Sequence, residues 1–232
     1  MLRTINTLKH SRNTVAKQFI SSSQTRTKYT LPEIPYEYSA FSPVWSTEIV
    51  KNHHQGNHAA YVANLNATEE KMLSFIKNEQ LENLSELHKL LRFNAGGHLN
   101  HTMLWQTIMP ISAGGGKVVD GSLRAAIDRE FDTVEKMITL MNAKTASIQG
   151  SGWGWLALNK LSGSLELITT PNQDTPNYYG YLPLFGIDAW EHAFYLDYKT
   201  NKAEYFKKIW QICNWAKVQS NFEEAMASIN KV

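Results

Sequence analysis

From Ser46 to about Ile108, apolar positions recur at helical spacing between polar breaks, with no run of strand character. Ile49, Val50, Tyr61, Val62 and Leu65 form one stripe, and Leu84, Leu87, Leu90, Leu91 and Leu99 form another. Two long helices with such stripes bury their apolar faces against each other as a hairpin. Gly56 falls inside the first helix, where glycine costs about 1 kcal/mol relative to alanine unless a bend or close packing uses its small size. The run Ser112-Ala113-Gly114-Gly115-Gly116 has the composition of a flexible connector and divides a hairpin domain, residues 28–113, from a second domain, residues 117–232. It lacks the preceding strand and the glycine spacing of a phosphate loop.

Beyond Asp120, helical spacing covers roughly Leu123 to Phe131 and Val134 to Ala143. Three strand-like runs follow, Gly152 to Leu158, Leu165 to Thr170 and Tyr181 to Ile187, and a last helical region spans Ala203 to Ala216. The predicted fold class is α+β: an N-terminal helical hairpin followed by an α/β domain with a small three-stranded antiparallel sheet. Cys213 falls in the last helical stretch, where a free cysteine packs as a small hydrophobe. As the single cysteine it forms no intramolecular disulfide. Trp210 and Trp215 read as core.

The chemistry concentrates in Asp188-Ala189-Trp190-Glu191-His192. Asp188 ends an apolar strand and His192 lies just past it, and strand ends hold side chains rigidly. Joined by His53 and His101, they give three neutral imidazoles and one carboxylate, which leave a divalent or trivalent first-row metal with a small residual charge. At five-coordination a solvent molecule completes such a centre, suited to redox or hydrolytic work. His53, Asn57 and Tyr61 recur every four residues and His101 and Trp105 repeat the interval, so on helices each set shares a face. Spacing alone does not choose the ligands, because His54, His58, His88 and His98 are equally available.

Six segments narrow the choice. Leu31-Pro32-Glu33-Ile34-Pro35-Tyr36, His53-His54 through His58-Ala59-Ala60-Tyr61-Val62, and Gly96-Gly97-His98-Leu99-Asn100-His101 are followed by three more. These are Gln149-Gly150-Ser151-Gly152-Trp153-Gly154-Trp155, Asn172-Gln173-Asp174 and Asp188-Ala189-Trp190-Glu191-His192-Ala193-Phe194-Tyr195. In order and approximate spacing the chain from Lys28 onward resembles the iron/manganese superoxide dismutases. The resemblance implies metal ligands at His53, His101, Asp188 and His192, two from each domain, with water or hydroxide in the fifth position. It implies that Tyr61 is a gateway tyrosine and that the Gln173 amide hydrogen-bonds the bound solvent. Trp105, Trp153, Trp155 and Trp190 would form an aromatic wall. Glu191 and Tyr195 resemble residues that reach across a dimer interface, implying a homodimer or homotetramer. Asn57 stands where most manganese-type relatives carry a histidine that links the gateway tyrosine's hydrogen bonds to a tyrosine of the neighbouring subunit, here Tyr195.

Gly97 early and Gln173 late resemble the manganese-type arrangement, in which the solvent-bonding glutamine comes from the later segment. Nitrogen and oxygen donors suit both metals, so manganese rather than iron rests on that resemblance. The implied reaction converts superoxide to dioxygen and hydrogen peroxide as the metal alternates between trivalent and divalent states. A relative that had lost catalysis would have no reason to keep Gln173 and Glu191 along with the ligands. A hydrolytic zinc enzyme would want a general base where a glutamine stands.

Composition adds an address. Met1 to Thr27 carries Arg3, Lys9, Arg12, Lys17 and Arg26, and no acidic residue precedes Glu33. Together with abundant serine and threonine this is the pattern of a mitochondrial transit peptide, residues 1–27, so the expected location is the mitochondrial matrix. Its removal leaves 18 basic residues against 21 acidic ones, a net charge of about −3, which gives no general affinity for nucleic acid. No apolar run approaches the ~20 residues needed to cross a bilayer, so no membrane partner is expected. Only 19% charged residues and seven tryptophans exclude a disordered chain.

Overall fold

The computed structural model describes residues 28–229, and the expected transit peptide lies outside them. Ser46 starts the first helix by accepting the Ile49 N–H on its Oγ at 3.2 Å. Helix α1 (Thr47–Lys51) runs without a break into a π-helical turn (Asn52–His58) and on into α2 (Ala59–Lys77). Helix α3 (Leu84–Thr107) packs back along α2 to complete the hairpin. Ahead of it, residues 28–37 are pinned to the hairpin. The Tyr29 N–H donates to Asn66 Oδ1, and His54 Nε2 bonds the Pro32 carbonyl at 2.7 Å.

Ile49, Val50, Tyr61, Val62 and Leu65 are buried, as their spacing predicts. The second stripe departs from expectation. Of its five leucines only Leu87 is fully buried, while Leu90 is 49% and Leu99 56% exposed. The buried face of α3 instead carries Asn94, Gly96, Gly97, Asn100, His101, Leu104 and Trp105. Polar and glycine positions carry no weight in an apolar count, yet this face must approach the rest of the molecule most closely. A Cβ on Gly97 would lie 2.5 Å from Tyr61 Cγ, and one on Gly96 only 2.0 Å from the Gln173 carbonyl oxygen.

The glycine run after α3 is a fitted turn rather than a slack connector. Gly114 and Gly116 take φ of +108° and +77°, which side chains resist. The Gly116 N–H donates to the Cys213 carbonyl at 2.9 Å, and a Cβ on Gly115 would sit 2.3 Å from the Met109 carbonyl oxygen.

Helices α4 (Ser122–Phe131) and α5 (Val134–Ala146) lead into β1 (Gly152–Asn159), β2 (Leu165–Pro171) and β3 (Tyr181–Asp188). The strands form an antiparallel sheet in the order β2-β1-β3. Central β1 is buried from Gly152 to Leu158, so it reads as a nearly continuous apolar run. Trp153 pairs with Asp188 and Trp155 with Gly186, whose missing side chain makes room for the Trp155 ring. The expected helix from Ala203 to Ala216 is interrupted. A short α6 (Tyr195–Tyr198) precedes α7 (Lys202–Lys208) and a 3-10 turn (Ile209–Ile212), and α8 (Trp215–Ile229) follows. Between them Cys213 is extended and bridges to Ile108, and the Asn214 N–H donates to the Thr107 carbonyl at 2.8 Å. Pairing with the end of α3 takes the place of the helical bonds that these backbone groups would otherwise make. Cys213 still packs as a buried thiol, its pKa pushed well above the ordinary range by burial. Among the described residues no helix is long and apolar enough to cross a membrane.

Two glycine substitutions should move stability in opposite directions. Gly97→Ala should lower it by about 1–3 kcal/mol through collision with Tyr61. Gly56→Ala, with nothing within 4 Å of the added Cβ, should raise it by up to about 1 kcal/mol. Chemical denaturation of both variants measures the two shifts, and a neutral Gly97→Ala would refute the close approach.

Candidate metal centre

Strand β3 ends at Asp188, and pairing with Trp153 delivers this carboxylate to the interior with no solvent exposure. Its Oδ1 accepts the Trp190 N–H at 2.9 Å. Its Oδ2 faces three imidazoles, with His192 Nε2 at 3.0 Å, His53 Nε2 at 3.1 Å and His101 Nε2 at 3.5 Å. One potential ligand atom from each of the four residues lies within 4.8 Å of the others. His53 comes from the π-turn, His101 from α3, and His192 from a 3-10 turn (Glu191–Ala193) just past β3.

The donors fit a metal ion. His101 Nδ1–H donates to the Gly97 carbonyl at 2.7 Å, which leaves Nε2 as the bare nitrogen on the Asp188 side. That Nε2 is buried with no hydrogen-bonding partner, an unfavourable condition that a cation relieves. Burial holds His53 down to about 4 and His101 well below its ordinary range, so both rings are neutral at physiological pH and could serve as donors. For Asp188, burial favours the neutral acid, but His192 and the hydrogen bonds from His192 and His53 outweigh it and hold the carboxyl below the usual carboxylate range. One carboxylate among imidazole nitrogens is a group that could hold a cation.

Gln173 is fully buried behind this group. Its Oε1 accepts from Trp153 Nε1 at 3.1 Å and Asn100 Nδ2 at 3.4 Å, which fixes the amide orientation. Its Nε2 donates to the Tyr61 hydroxyl at 3.1 Å, and the Tyr61 ring lies 5.2 Å from that of His101. Burial raises the Tyr61 pKa above its ordinary value, so the phenol keeps its proton. The segment carrying Gln173 is held from several sides. Asn100 Nδ2 donates to the Gln173 carbonyl at 3.0 Å, Trp190 Nε1 donates to the Asn172 carbonyl at 2.9 Å, and Arg92 grips Asp174 with two bonds of 2.7 and 2.6 Å.

Three of the four expected wall tryptophans meet ligand rings. Trp105 lies 5.0 Å from His53, Trp153 lies 5.2 Å from His101, and Trp190 stacks on His192 at 5.5 Å. Trp155 is one layer back, stacked on Trp153 at 5.2 Å. Trp45, which its sequence position did not single out, meets His53 edge-on at 5.7 Å and stacks on Tyr205. Asn57 is half-buried, and no hydrogen bond joins its side chain to the described residues. Its neighbour His58 is fully buried instead. Glu191 and Tyr195 flank His192 in the chain and are exposed.

Comparison with known proteins agrees across both halves of the chain. Residues 28–109 match the alpha-hairpin domain of iron/manganese superoxide dismutases and residues 119–221 match their C-terminal domain. The chain is 45% identical over 215 residues to "Superoxide dismutase [Mn], mitochondrial" of Schizosaccharomyces pombe, covering 91% of this chain and 96% of that protein. It is 43% identical over 201 residues to the Drosophila melanogaster protein of the same description, covering 86% and 91%. It is also 42% identical over 193 residues to "Superoxide dismutase [Fe]" of Tetrahymena pyriformis, covering 82% and 98%. A buried His3Asp donor group and family matches on both sides of it lead to one conclusion: the chain belongs to the iron/manganese superoxide dismutase family.

Proposed function

We propose that the protein is a manganese superoxide dismutase of the mitochondrial matrix, working as a homodimer or homotetramer of chains with domains at 28–113 and 117–232. The observation that carries the reading is the convergence of His53, His101, Asp188 and His192 beside an amide, Gln173, bonded to Tyr61. Manganese and iron relatives match at similar identity, so the choice of metal rests on this chain's own residues. Gly97 packs against the Tyr61 ring and leaves no space there for a side chain, so the amide comes from Gln173 alone.

The chemistry supplied by a bound manganese ion is one-electron transfer between its trivalent and divalent states, so that one superoxide leaves as dioxygen and the next as hydrogen peroxide. His53, His101 and His192 would hold it as neutral donors, with Asp188 adding one negative charge. Peroxide needs two protons, and Tyr61 Oη beside the donor group is a hydroxyl through which one can be handed over. Because Oη accepts from Gln173 Nε2, its own hydrogen is free to be donated elsewhere. Gln173 cannot turn its carbonyl toward Tyr61 without breaking its bonds from Trp153 and Asn100. Trp105, Trp153 and Trp190 keep bulk water from the ligand rings.

His192→Ala should lose bound metal and activity together, because a donor is gone. Gln173→Ala should retain the metal while losing about 10–100-fold in activity, since it removes a supporting hydrogen bond. Elemental analysis paired with superoxide-removal assays separates the two, and full activity in His192→Ala would sink the ligand assignment. The same assay after exchange of manganese for iron should show activity restored by manganese alone.

Asn57 offers an amide, which does not titrate near neutral pH, where a histidine would exchange a proton. Asn57→His should change the peroxide-forming rate and the product-inhibited state, as read by fast superoxide decay at several enzyme ratios and pH values. Identical traces would remove position 57 from proton delivery. Mass spectrometry of the protein from its native cells should find a terminus near residue 28, and an intact Met1 would count against import and cleavage.

A further inference from the structure

The turn that supplies His53 contains two further buried histidines, His54 and His58, with no part in the donor group. In the π-turn the Ala59 N–H reaches back to the His54 carbonyl, one residue beyond the α-helical partner. The turn sends His53 and His58, five apart, into the interior with no exposure. His58 lies beside His101, with ring centroids 5.4 Å apart and planes tilted by 33°. We propose that His58 is a positioning residue that holds the Trp105 indole against the ligand His53, and that His98 in turn fixes His58.

The hydrogen atoms decide the direction of this chain. Trp105 Nε1 lies 3.0 Å from His58 Nδ1, and an indole N–H can only donate, so His58 Nδ1 carries no hydrogen. The hydrogen of the neutral ring is therefore on Nε2, which lies 2.9 Å from His98 Nδ1 and donates to it. His98 must then keep its own hydrogen on Nε2. Three rings are set in one sequence, from a half-exposed histidine inward to a buried indole.

Trp105 needs such an anchor. Its ring is 3% exposed and stands 5.0 Å from His53 at 70°, and Nε1 is its one polar side-chain atom. Without His58 that donor would be buried and unpaired, and the indole would gain by turning away from the metal centre. His58 itself touches neither the Asp188 carboxylate nor the Gln173–Tyr61 pair, so its effect on the reaction passes through Trp105.

This inference rests on the metal-centre reading, and its test separates the two. Four proteins are loaded with manganese and brought to equal metal content: His58→Phe, His58→Gln, Trp105→Phe and the double variant His58→Phe/Trp105→Phe. The readouts are the visible absorption of the oxidised form, the split of kcat and KM, and the indole 1H–15N resonance of Trp105 in metal-free protein, assigned with Trp105→Phe. His58→Phe should keep its metal, lose about 10–100-fold in kcat with little change in KM, and shift the absorption band. It should also move the Trp105 indole resonance upfield. His58→Gln, whose amide oxygen can still accept, should recover part of both losses. The double variant should be no worse than Trp105→Phe alone, because coupled residues are not additive.

An unshifted indole resonance and absorption band in His58→Phe would overturn the proposal, and so would a double variant showing the product of the two single effects. If His58→Phe does not fold, His98→Ala serves, with a smaller shift of both signals expected and no shift refuting the chain. A wild-type protein without metal or activity would instead sink the dismutase reading, while the indole resonance would still report on His58.

Discussion

A carboxylate held where water does not reach needs compensation from the protein around it. Taking such a charge out of water costs several kcal/mol even after relaxation, more than packing at one position can return. Asp188 meets this on one oxygen with the Trp190 N–H. Its other oxygen faces three imidazoles, of which burial keeps those of His53 and His101 neutral, and a cation completes the group. The register of β3 on β1, the turn after it, and the docking of the hairpin all serve to bring those nitrogens to that one oxygen.

The same docking places the hydrogen-bonding groups behind the ligands. Gly96 lets α3 approach the Gln173 carbonyl, and Asn100, one turn further, bonds that carbonyl. Gln173 is thereby oriented by residues of both halves, and Tyr61, from the hairpin, receives its N–H. Removing side-chain volume at two adjacent positions of α3 is thus a condition for the hydrogen-bonded Gln173–Tyr61 pair to exist.

Much of this was legible in the sequence, for identifiable reasons. Strands β1 and β3 are long apolar runs and α4 and α5 have clear periodicity, so their positions came within a few residues. The hairpin was visible, but Leu90 and Leu99 misled because the buried face of α3 is made of glycine, asparagine and histidine. The break at Cys213 depends on pairing with Ile108, far away in the chain, and no local pattern encodes such a partner. The ligands themselves could not be chosen by spacing. His54, for instance, is as buried as a ligand yet bonds Tyr38 and the Pro32 carbonyl, and only the resemblance set it aside. The π-turn left no recognisable mark, so the exchange of burial between Asn57 and His58 was invisible before the fold was known.

The division of the four donors between the two halves has a consequence for biosynthesis. A chain that emerges from a ribosome, or threads through a translocation pore amino terminus first, presents His53 and His101 long before Asp188 and His192 follow. Two imidazoles without the carboxylate form an incomplete and weakly selective site. A complete donor group therefore exists only after the chain has been extended past His192, and the order of the sequence puts assembly of the site late in the life of the nascent chain.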